Sequence, residues 1–205
     1  MGRMIGVFGG TFDPPHLGHL ILAEHAMHEL DLDAVLWVLT PRSPLKPDSD
    51  PTPVEIRARL VRAAIESNAR FRISTVDIER QPPYFTVGTL ERLQAAEPQA
   101  GLVVLIGSDA LQELPRWHDP ARLVALCAAI GVMDRAGHAP DVAEIDLQIP
   151  GLAAKLRPFR VPRIEISARD IRRRLSQGQS VRYLVPESVR EIIEQQGLYR
   201  RGSEL

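Results

Sequence analysis

Residues 9–19, Gly9-Gly10-Thr11-Phe12-Asp13-Pro14-Pro15-His16-Leu17-Gly18-His19, decide the interpretation of this chain. A short apolar run at residues 4–8 precedes them, and an amphipathic stretch at residues 20–30 follows. This order indicates a buried strand, a glycine turn and a helix that carries two histidines on one face of its first turn. Glycines let backbone approach a ligand closely, and the free N–H groups of a helix N-terminus favour an anion. The stretch therefore predicts a phosphate site.

The composition bounds the class of protein. Of the 205 residues, 44% are hydrophobic and 25% are charged, and the formal net charge is −1. These values are typical of a globular protein with one sizeable core. The charge gives no reason to expect a nucleic-acid partner, and the longest apolar run, residues 123–133, is too short to span a membrane. We therefore expect a cytoplasmic protein that binds neither nucleic acid nor membrane, and we expect the single cysteine, Cys127, to pack as a small hydrophobic residue.

Apolar runs alternate with helical patterns along the chain. The predicted strands are residues 4–8, 34–39, 71–76, 102–106, 128–133 and 163–166. Most of them are nearly continuous hydrophobic runs, which is typical of strands buried on both faces of a parallel sheet. The alternation predicts a doubly wound α/β sheet. We expect one domain over residues 1–205, with C-terminal helices from about residue 167 packed on the sheet.

Capping signals predict where the helices begin. Thr52, Pro53 and Glu55 indicate an N-cap, a first-turn proline and a capping-box glutamate. One face of that helix is expected to pack inward and comprises Ile56, Leu60, Ala63 and Ser67. Three arginines are expected to point elsewhere, namely Arg57, Arg59 and Arg62. Further helices are predicted at residues 86–96, after Asp119-Pro120, from Ser167 to Gly178 and at residues 186–196, whereas residues 40–50 and 134–162 show no regular pattern.

Residues 10–19 resemble the first signature of the T/HxGH nucleotidyltransferases, which bind ATP or CTP at this loop and transfer a nucleotidyl group to a phosphate. The second signature of that family, I-S-x-x-x-I-R, stands here as Ile166-Ser167-Ala168-Arg169-Asp170-Ile171-Arg172. The motifs of dehydrogenases and of P-loop enzymes, G-x-G-x-x-G after the first strand and G-x-x-x-x-G-K-[ST], are absent. Together the two signatures indicate two segments that contact phosphate.

Further segments are similar to those of bacterial nicotinate-mononucleotide adenylyltransferases, and this resemblance runs from residue 4 to residue 199. The segments are residues 41–46, 84–90, 107–109, 114–117, 183–186 and 196–199. The resemblance implies a Rossmann-like parallel sheet of the nucleotidyltransferase type. It also implies the reaction of ATP with nicotinate mononucleotide, which gives deamido-NAD and pyrophosphate. The chain departs from the family pattern at Leu45, Gly88 and Arg169.

With this resemblance, roles can be assigned to residues. His19 is expected to donate a hydrogen bond to the α-phosphate and His16 to contact the triphosphate, so both are predicted to be catalytic. The residues expected to bind ATP are Gly9, Gly10, Thr11, Phe12, Gly18, Gly107, Asp109, Ser167 and Arg172. The residues expected to bind nicotinate mononucleotide are Lys46, Tyr84, Thr86, Trp117 and Arg135. Mg²⁺ is expected to be bound through the ATP phosphates and not by protein ligands. The sequence is compatible with a homo-oligomer but does not give the oligomeric state.

Several residues have a second interpretation. Lys46 is equally well interpreted as an exposed loop lysine, and Trp117, without the resemblance, as a core aromatic residue. Asp109 has the alternative of a helix cap, and so has Ser167, for which the presence of the first motif favours the phosphate role. His118 is expected to be only a surface or packing residue. For the whole chain, the alternatives are a pantetheine-phosphate adenylyltransferase, a cytidylyltransferase and a nucleotide-binding regulator that has lost catalysis.

Overall fold

The sheet is the centre of the fold in the computed structural model, which describes residues 2–44, 50–134 and 140–200. Within these ranges the strands are β1 (Met4–Gly10), β2 (Ala34–Leu39), β3 (Phe71–Ser74), β4 (Gly101–Gly107), β5 (Ala129–Asp134) and β6 (Leu156–Arg160). Their order is β3-β2-β1-β4-β5-β6, and every neighbouring pair is parallel. The chain therefore builds one half of the sheet outward from β1, then returns to the centre and builds the other half.

Helices cover both faces of this sheet. They are α1 (Leu17–Glu29), α2 (Val54–Ile65), α3 (Thr86–Ala96), α4 (Ser108–Glu113), α5 (Pro120–Leu126), α6 (Val142–Gln148), α7 (Leu152–Lys155), α8 (Ala168–Ser176) and α9 (Glu187–Gln196). Side chains of α1, α2, α8 and α9 enter the core on one face, and those of α3 to α7 enter the core on the other. None of the described helices is long and apolar enough to cross a membrane.

The strands at the centre of the sheet are buried on both faces. In β1, Ile5 and Val7 belong to one core and Phe8 to the other, because successive side chains of a strand point to opposite faces. All six residues of β2 are buried, which explains why its sequence is a continuous apolar run. The doubly wound α/β sheet predicted from the sequence is confirmed, and Cys127 packs in a core as expected.

The prediction of a strand at residues 163–166 is wrong. Those residues pair with no strand in the described part of the chain, and the sixth strand is β6. Only Phe159 of β6 is buried, so the strand lacks the apolar run by which the others were recognised. Its Pro158 is tolerated because β6 lies at the edge of the sheet, where one side of the backbone needs no partner. The segment 134–162, which shows no regular pattern in sequence, also contains α6 and α7.

Most of the predicted helix starts are confirmed. Helix α3 spans the predicted residues, and the carboxylate of Asp119 caps α5 by accepting a hydrogen bond from the Arg122 N–H at 3.1 Å. The Ser167 hydroxyl caps α8 by accepting from the Asp170 N–H at 3.1 Å. Helix α2 begins at Val54, and its N-cap is Pro53 rather than the predicted Thr52.

The order of the strands fixes where a ligand can bind. β1 and β4 are neighbours at the centre of the sheet, and the helices that follow them, α1 and α4, lie on opposite faces. Since the two connections leave in opposite directions, a crevice opens beyond the carboxyl ends of these strands. Both signature segments of the sequence adjoin this crevice.

Candidate active site

A cleft of about 1240 Å³ lies at the carboxyl ends of β1 and β4. Its floor is formed by the ends of these strands, Gly9-Gly10 and Gly107. The N-terminus of α8 forms one wall, with Ser167 and Arg172. The cleft thus brings together the two segments that the sequence predicts to contact phosphate.

His16 and His19 form a stacked pair at the start of α1. Their ring centroids are 3.6 Å apart, and the ring planes meet at 21°. The backbone N–H of His16 donates a hydrogen bond to Nδ1 of His19 at 3.2 Å. Because a neutral imidazole accepts at one nitrogen and carries its proton on the other, this bond places the His19 proton on Nε2. His19 lines the cleft, so it can offer one N–H donor to a ligand there.

The surroundings of the histidine pair keep both rings neutral. Phe8, Phe12 and Trp37 pack around His19, with centroid separations of 6.0, 5.1 and 6.4 Å. Burial lowers the pKa of His16 to about 4. Burial and the neighbouring His16 together lower the pKa of His19 well below its usual value. At pH 7, the chain without a ligand therefore presents neutral imidazoles at this position.

Neighbouring side chains lie very close to the backbone at two of the predicted glycines. A Cβ atom at Gly18 would lie 3.1 Å from Nδ1 of His16, so any larger residue would press on the imidazole. A Cβ atom at Gly107 would collide with the carboxylate of Asp109. These glycines therefore leave room for the side chains of His16 and Asp109.

Arg57 supports the cleft, although the sequence analysis placed it away from the core. Its side chain is only 1% exposed. The guanidinium donates to four carbonyl oxygens, those of Thr52 at 2.6 Å, Thr11 at 2.7 Å, Pro41 at 2.8 Å and Thr40 at 3.0 Å. It thereby ties the β1–α1 loop to the loop that follows β2. The prediction that Arg57 points elsewhere is wrong, because its spacing to Leu60, Val61 and Ala64 puts it on the buried face of α2.

Asp13 joins three distant parts of the chain beneath the cleft. One carboxylate oxygen accepts from the Tyr199 hydroxyl at 2.7 Å, and the other accepts from the Thr52 N–H at 3.2 Å. The Asp13 backbone carbonyl accepts from Nη1 of Arg172 at 2.6 Å. The residue is 6% exposed, so these bonds satisfy a nearly buried carboxylate.

The N-terminus of α8 brings formal positive charge to the cleft. Asp170 pairs with Arg173 and Arg174, which leaves Arg169 and Arg172 as the cleft-lining arginines of the helix. The Arg172 side chain is 41% exposed. Arg169 is exposed and makes no hydrogen bond or ion pair with another residue in the described part of the chain.

A buried polar cluster supports a second wall of the cleft. Asp77 accepts from the Thr89 hydroxyl at 2.8 Å, from Nε of Arg80 at 2.9 Å and from the Thr40 hydroxyl at 3.2 Å. Arg80 also donates to the Phe85 carbonyl at 3.2 Å and lies over the ring of Tyr84, 5.4 Å from its centroid. The segment 84–86, where α3 begins, is therefore fixed from behind.

Aromatic rings line the same wall. Trp117 lies in the cleft, and its Nε1 is buried without a hydrogen-bond partner among the described residues. His118 stacks on Phe85 with the ring centroids 4.2 Å apart, and both rings line the cleft. His118 thus packs on an aromatic ring, which agrees with the expected packing role, and it does so at the cleft.

The structure places most predicted site residues on the cleft surface. They are Gly9, Gly10, Thr11, His19, Tyr84, Thr86, Gly107, Asp109, Trp117, Ser167 and Arg172. His16, Phe12 and Gly18 lie behind that surface, where they pack against the residues that form it. Lys46 and Arg135, like Leu45, lie outside the described residues.

The comparisons with known proteins agree over almost the whole chain. Residues 7–174 match the family model described as cytidylyltransferase-like. A protein of Thermomicrobium roseum is 42% identical over 196 residues, which are 96% of this chain and 91% of the relative. A protein of Dehalococcoides mccartyi is 39% identical over 198 residues, with 96% and 97% covered. Both relatives carry the name "probable nicotinate-nucleotide adenylyltransferase".

Solved structures share the fold. The nicotinic acid mononucleotide adenylyltransferase of Plasmodium falciparum, complexed with NaAD, superposes with a TM-score of 0.75 at 18% identity and covers 96% of this chain and 97% of its own. The same enzyme complexed with APC gives a TM-score of 0.74 at 17% identity, with the same coverage. At these identities the structural likeness shows only the shared fold, whereas the family relationship rests on the relatives in sequence.

Proposed function

This chain belongs to the cytidylyltransferase-like family, and from that premise we propose how its cleft residues share the work of one reaction. The reaction is adenylyl transfer from ATP to nicotinate mononucleotide, which gives deamido-NAD and pyrophosphate, a step of NAD biosynthesis. The observation that carries the assignment of roles is the cleft itself, which is lined both by His19, with His16 stacked on it, and by the cationic N-terminus of α8.

The chemistry needs positioning more than proton transfer. An oxygen of the nicotinate mononucleotide phosphate forms a bond to the α-phosphorus of ATP, and the bond from that phosphorus to the bridging oxygen breaks, so pyrophosphate leaves with the electron pair. The second pKa of a phosphate monoester is about 6, so the nucleophile is already mostly dianionic at neutral pH. Two polyanions must meet, and the protein must therefore supply oriented donors and positive charge.

His19 is assigned to the α-phosphate. Its proton is held on Nε2 by the bond from the His16 N–H, and the aromatic residues around it limit its motion. A donor fixed in this way strengthens its interaction as charge develops on the α-phosphate in the transition state. His16 is assigned a supporting role toward the triphosphate, since it stacks on His19 from behind the cleft surface.

The β- and γ-phosphates are assigned to α8. The Ser167 hydroxyl already accepts from the Asp170 N–H, so its own proton remains for a phosphate oxygen. Arg172 uses Nη1 for the Asp13 carbonyl and keeps further N–H groups for the ligand. Thr11, Gly9 and Gly10 supply donors and close backbone at the end of β1, and Gly107 with Asp109 is assigned to the adenosine.

The described residues offer no group of three or more His, Cys, Asp or Glu side chains that could hold a metal ion. A Mg²⁺ ion bound through phosphate oxygens and water needs no such group, and its presence stays a prediction. When bound, such an ion neutralises charge on the triphosphate.

The mononucleotide is assigned to the aromatic wall. Trp117 presents a ring on which a pyridine can stack, and Tyr84 lies at the same wall. Helix α3 begins at Thr86, and unpaired N–H groups of its first turn suit the nicotinate carboxylate. The parts assigned to Lys46 and Arg135, a homo-oligomeric state and a cytoplasmic location stay predictions.

An acceptor panel tests the proposed function. The purified chain is incubated with ATP or CTP and with nicotinate mononucleotide, nicotinamide mononucleotide or phosphopantetheine, and the products are separated by chromatography. We expect deamido-NAD and pyrophosphate from ATP with nicotinate mononucleotide, and much less product from the amide. Product formation only with CTP would indicate a cytidylyltransferase. Product formation only with phosphopantetheine would indicate a pantetheine-phosphate adenylyltransferase. ATP binding without any release of pyrophosphate would favour the regulator.

A further inference from the structure

The turn that follows α9 reaches the β1–α1 loop. Tyr199 follows Leu198, which is 1% exposed and anchored by its N–H to the Ile193 carbonyl at 3.0 Å. The Tyr199 hydroxyl donates to Oδ1 of Asp13 at 2.7 Å across 186 residues of sequence. Tyr199 also lines the cleft. None of the roles assigned above uses this tyrosine.

Arg172 lies between two acceptors that belong to the same residue. Its Nη1 donates to the Asp13 backbone carbonyl at 2.6 Å, and the same nitrogen is 4.0 Å from Oδ2 of Asp13. The carbonyl is a neutral acceptor, whereas a full ion pair with the carboxylate would be stronger. The carboxylate is held at that distance while its oxygens are used by Tyr199 and by the Thr52 N–H.

We propose that Tyr199 is a positioning residue for ATP, because its hydroxyl occupies the Asp13 carboxylate and so keeps Arg172 available for phosphate. A nearly buried carboxylate that loses a donor is stabilised by bonding to another. Arg57 also interacts with Asp13, but its guanidinium is bonded to four carbonyl oxygens, so Arg172 is the nearby cation that can move. Without the Tyr199 hydroxyl, Asp13 would draw in the guanidinium, and Arg172 would be neutralised before ATP arrives. The proposal rests on the assignment of Arg172 to the triphosphate.

The state of the tyrosine fits this role. Burial, followed by the charge and hydrogen bond of Asp13, raises the pKa of Tyr199 above its usual value. The hydroxyl therefore stays protonated, and remains a donor, over the whole range in which the reaction can be assayed.

Removal of one oxygen tests the proposal. Tyr199→Phe keeps the ring and loses only the hydroxyl. We expect the KM for ATP to rise by about fivefold to tenfold, as expected for a lost contact with a charged group, while the KM for nicotinate mononucleotide changes by less than about twofold. The matched control is Tyr183→Phe, because Tyr183 is 80% exposed, also has a positive φ angle and does not line the cleft; it should leave both constants unchanged.

The same substitution in an Asp13→Asn background tells whether the Tyr199 hydroxyl acts by positioning Arg172 or only by packing. In Asp13→Asn the amide carries no charge that could capture Arg172, so adding Tyr199→Phe should no longer weaken ATP binding. An unchanged KM for ATP in Tyr199→Phe, or an equal loss in both backgrounds, would overturn the proposal. Calorimetric titration with ATP alone measures the Kd for ATP without any reaction, so a failure of this proposal can be distinguished from a failure of the proposed function. A wild-type chain that binds ATP but forms no deamido-NAD would contradict the function, while the effect of Tyr199→Phe on the Kd would still be measured.

Discussion

The β1–α1 loop and the N-terminus of α8 face the same cleft but are built in opposite ways. The loop is largely buried, because His16 and Asp13 are each 6% exposed. Its imidazoles are neutral and pack against aromatic rings, and Arg57 holds its backbone at the Thr11 carbonyl. The start of α8 is exposed and carries Arg169 and Arg172. From this comparison we propose a division of labour, in which the loop fixes the geometry of the α-phosphate and α8 supplies charge for the leaving pyrophosphate.

The largest expected effect concerns the support of the loop. Arg57→Met removes four hydrogen bonds and leaves one buried and three partly buried carbonyls without this donor, and an unsatisfied buried group costs about 1–3 kcal/mol. We expect the free energy of unfolding, measured by urea denaturation, to fall by about 3–5 kcal/mol. The control is Arg62→Met, an exposed arginine of the same helix, which should change it by less than about 0.5 kcal/mol. Equal effects of the two substitutions would mean that the loop does not depend on Arg57.

The next effect distinguishes the orientation of the α-phosphate by His19 from the affinity of the chain for ATP. His19→Ala should lower kcat by about 10²–10³-fold, as expected for the loss of an oriented donor to transition-state charge, while the Kd for ATP changes by less than about threefold. Steady-state kinetics and ATP titration measure the two quantities independently. His28→Ala, at an exposed position of the same helix, should leave both unchanged. An unchanged kcat in His19→Ala would remove His19 from the chemistry.

The burial of the loop also predicts how stability depends on pH. The pKa of His16 is about 4 in the folded chain and about 6.5 when unfolded. Between these values the unfolded chain binds a proton that the folded chain does not, so the free energy of unfolding falls as the pH is lowered from 6.5 to 4, and this group causes no further loss below pH 4. The loss expected from His16 is about 3 kcal/mol. His16→Gln should flatten this part of the profile relative to His28→Gln; parallel profiles would show that His16 is not neutral in the fold.

The smallest effect tests the charge supplied by α8. Arg169→Ala should raise the KM for ATP by about twofold to threefold at low salt, because exposed charges contribute less than about 1 kcal/mol. The difference should disappear in about 0.5 M salt, where screening is strong. Arg163→Ala is the control, since Arg163 pairs with Glu165 and does not line the cleft. A loss that persists at high salt would place Arg169 with the buried, salt-insensitive part of the site.

The sequence predicts most clearly what depends on local chemistry. The caps at Ser167 and Asp119 can be predicted because each acts within a few residues of its own position. Central strands such as β2 are readable because burial on both faces demands an apolar run.

The features that the sequence analysis missed depend on distant partners. β6 is an edge strand with one buried residue, so hydrophobicity does not reveal it. Arg57 has the spacing of a core position, but a charged side chain there is satisfied only by carbonyls that the fold brings from other loops. The bond from Tyr199 to Asp13 likewise exists only after the chain ends have met.

A crystal structure with a non-hydrolysable ATP analogue would show directly where the triphosphate binds. We expect the triphosphate to lie between the β1–α1 loop and α8, with an α-phosphate oxygen within hydrogen-bond distance of Nε2 of His19 and the terminal phosphates in contact with Ser167 and Arg172. Phosphates bound in the cleft but out of reach of both His19 and Arg172, or bound elsewhere on the chain, would contradict it.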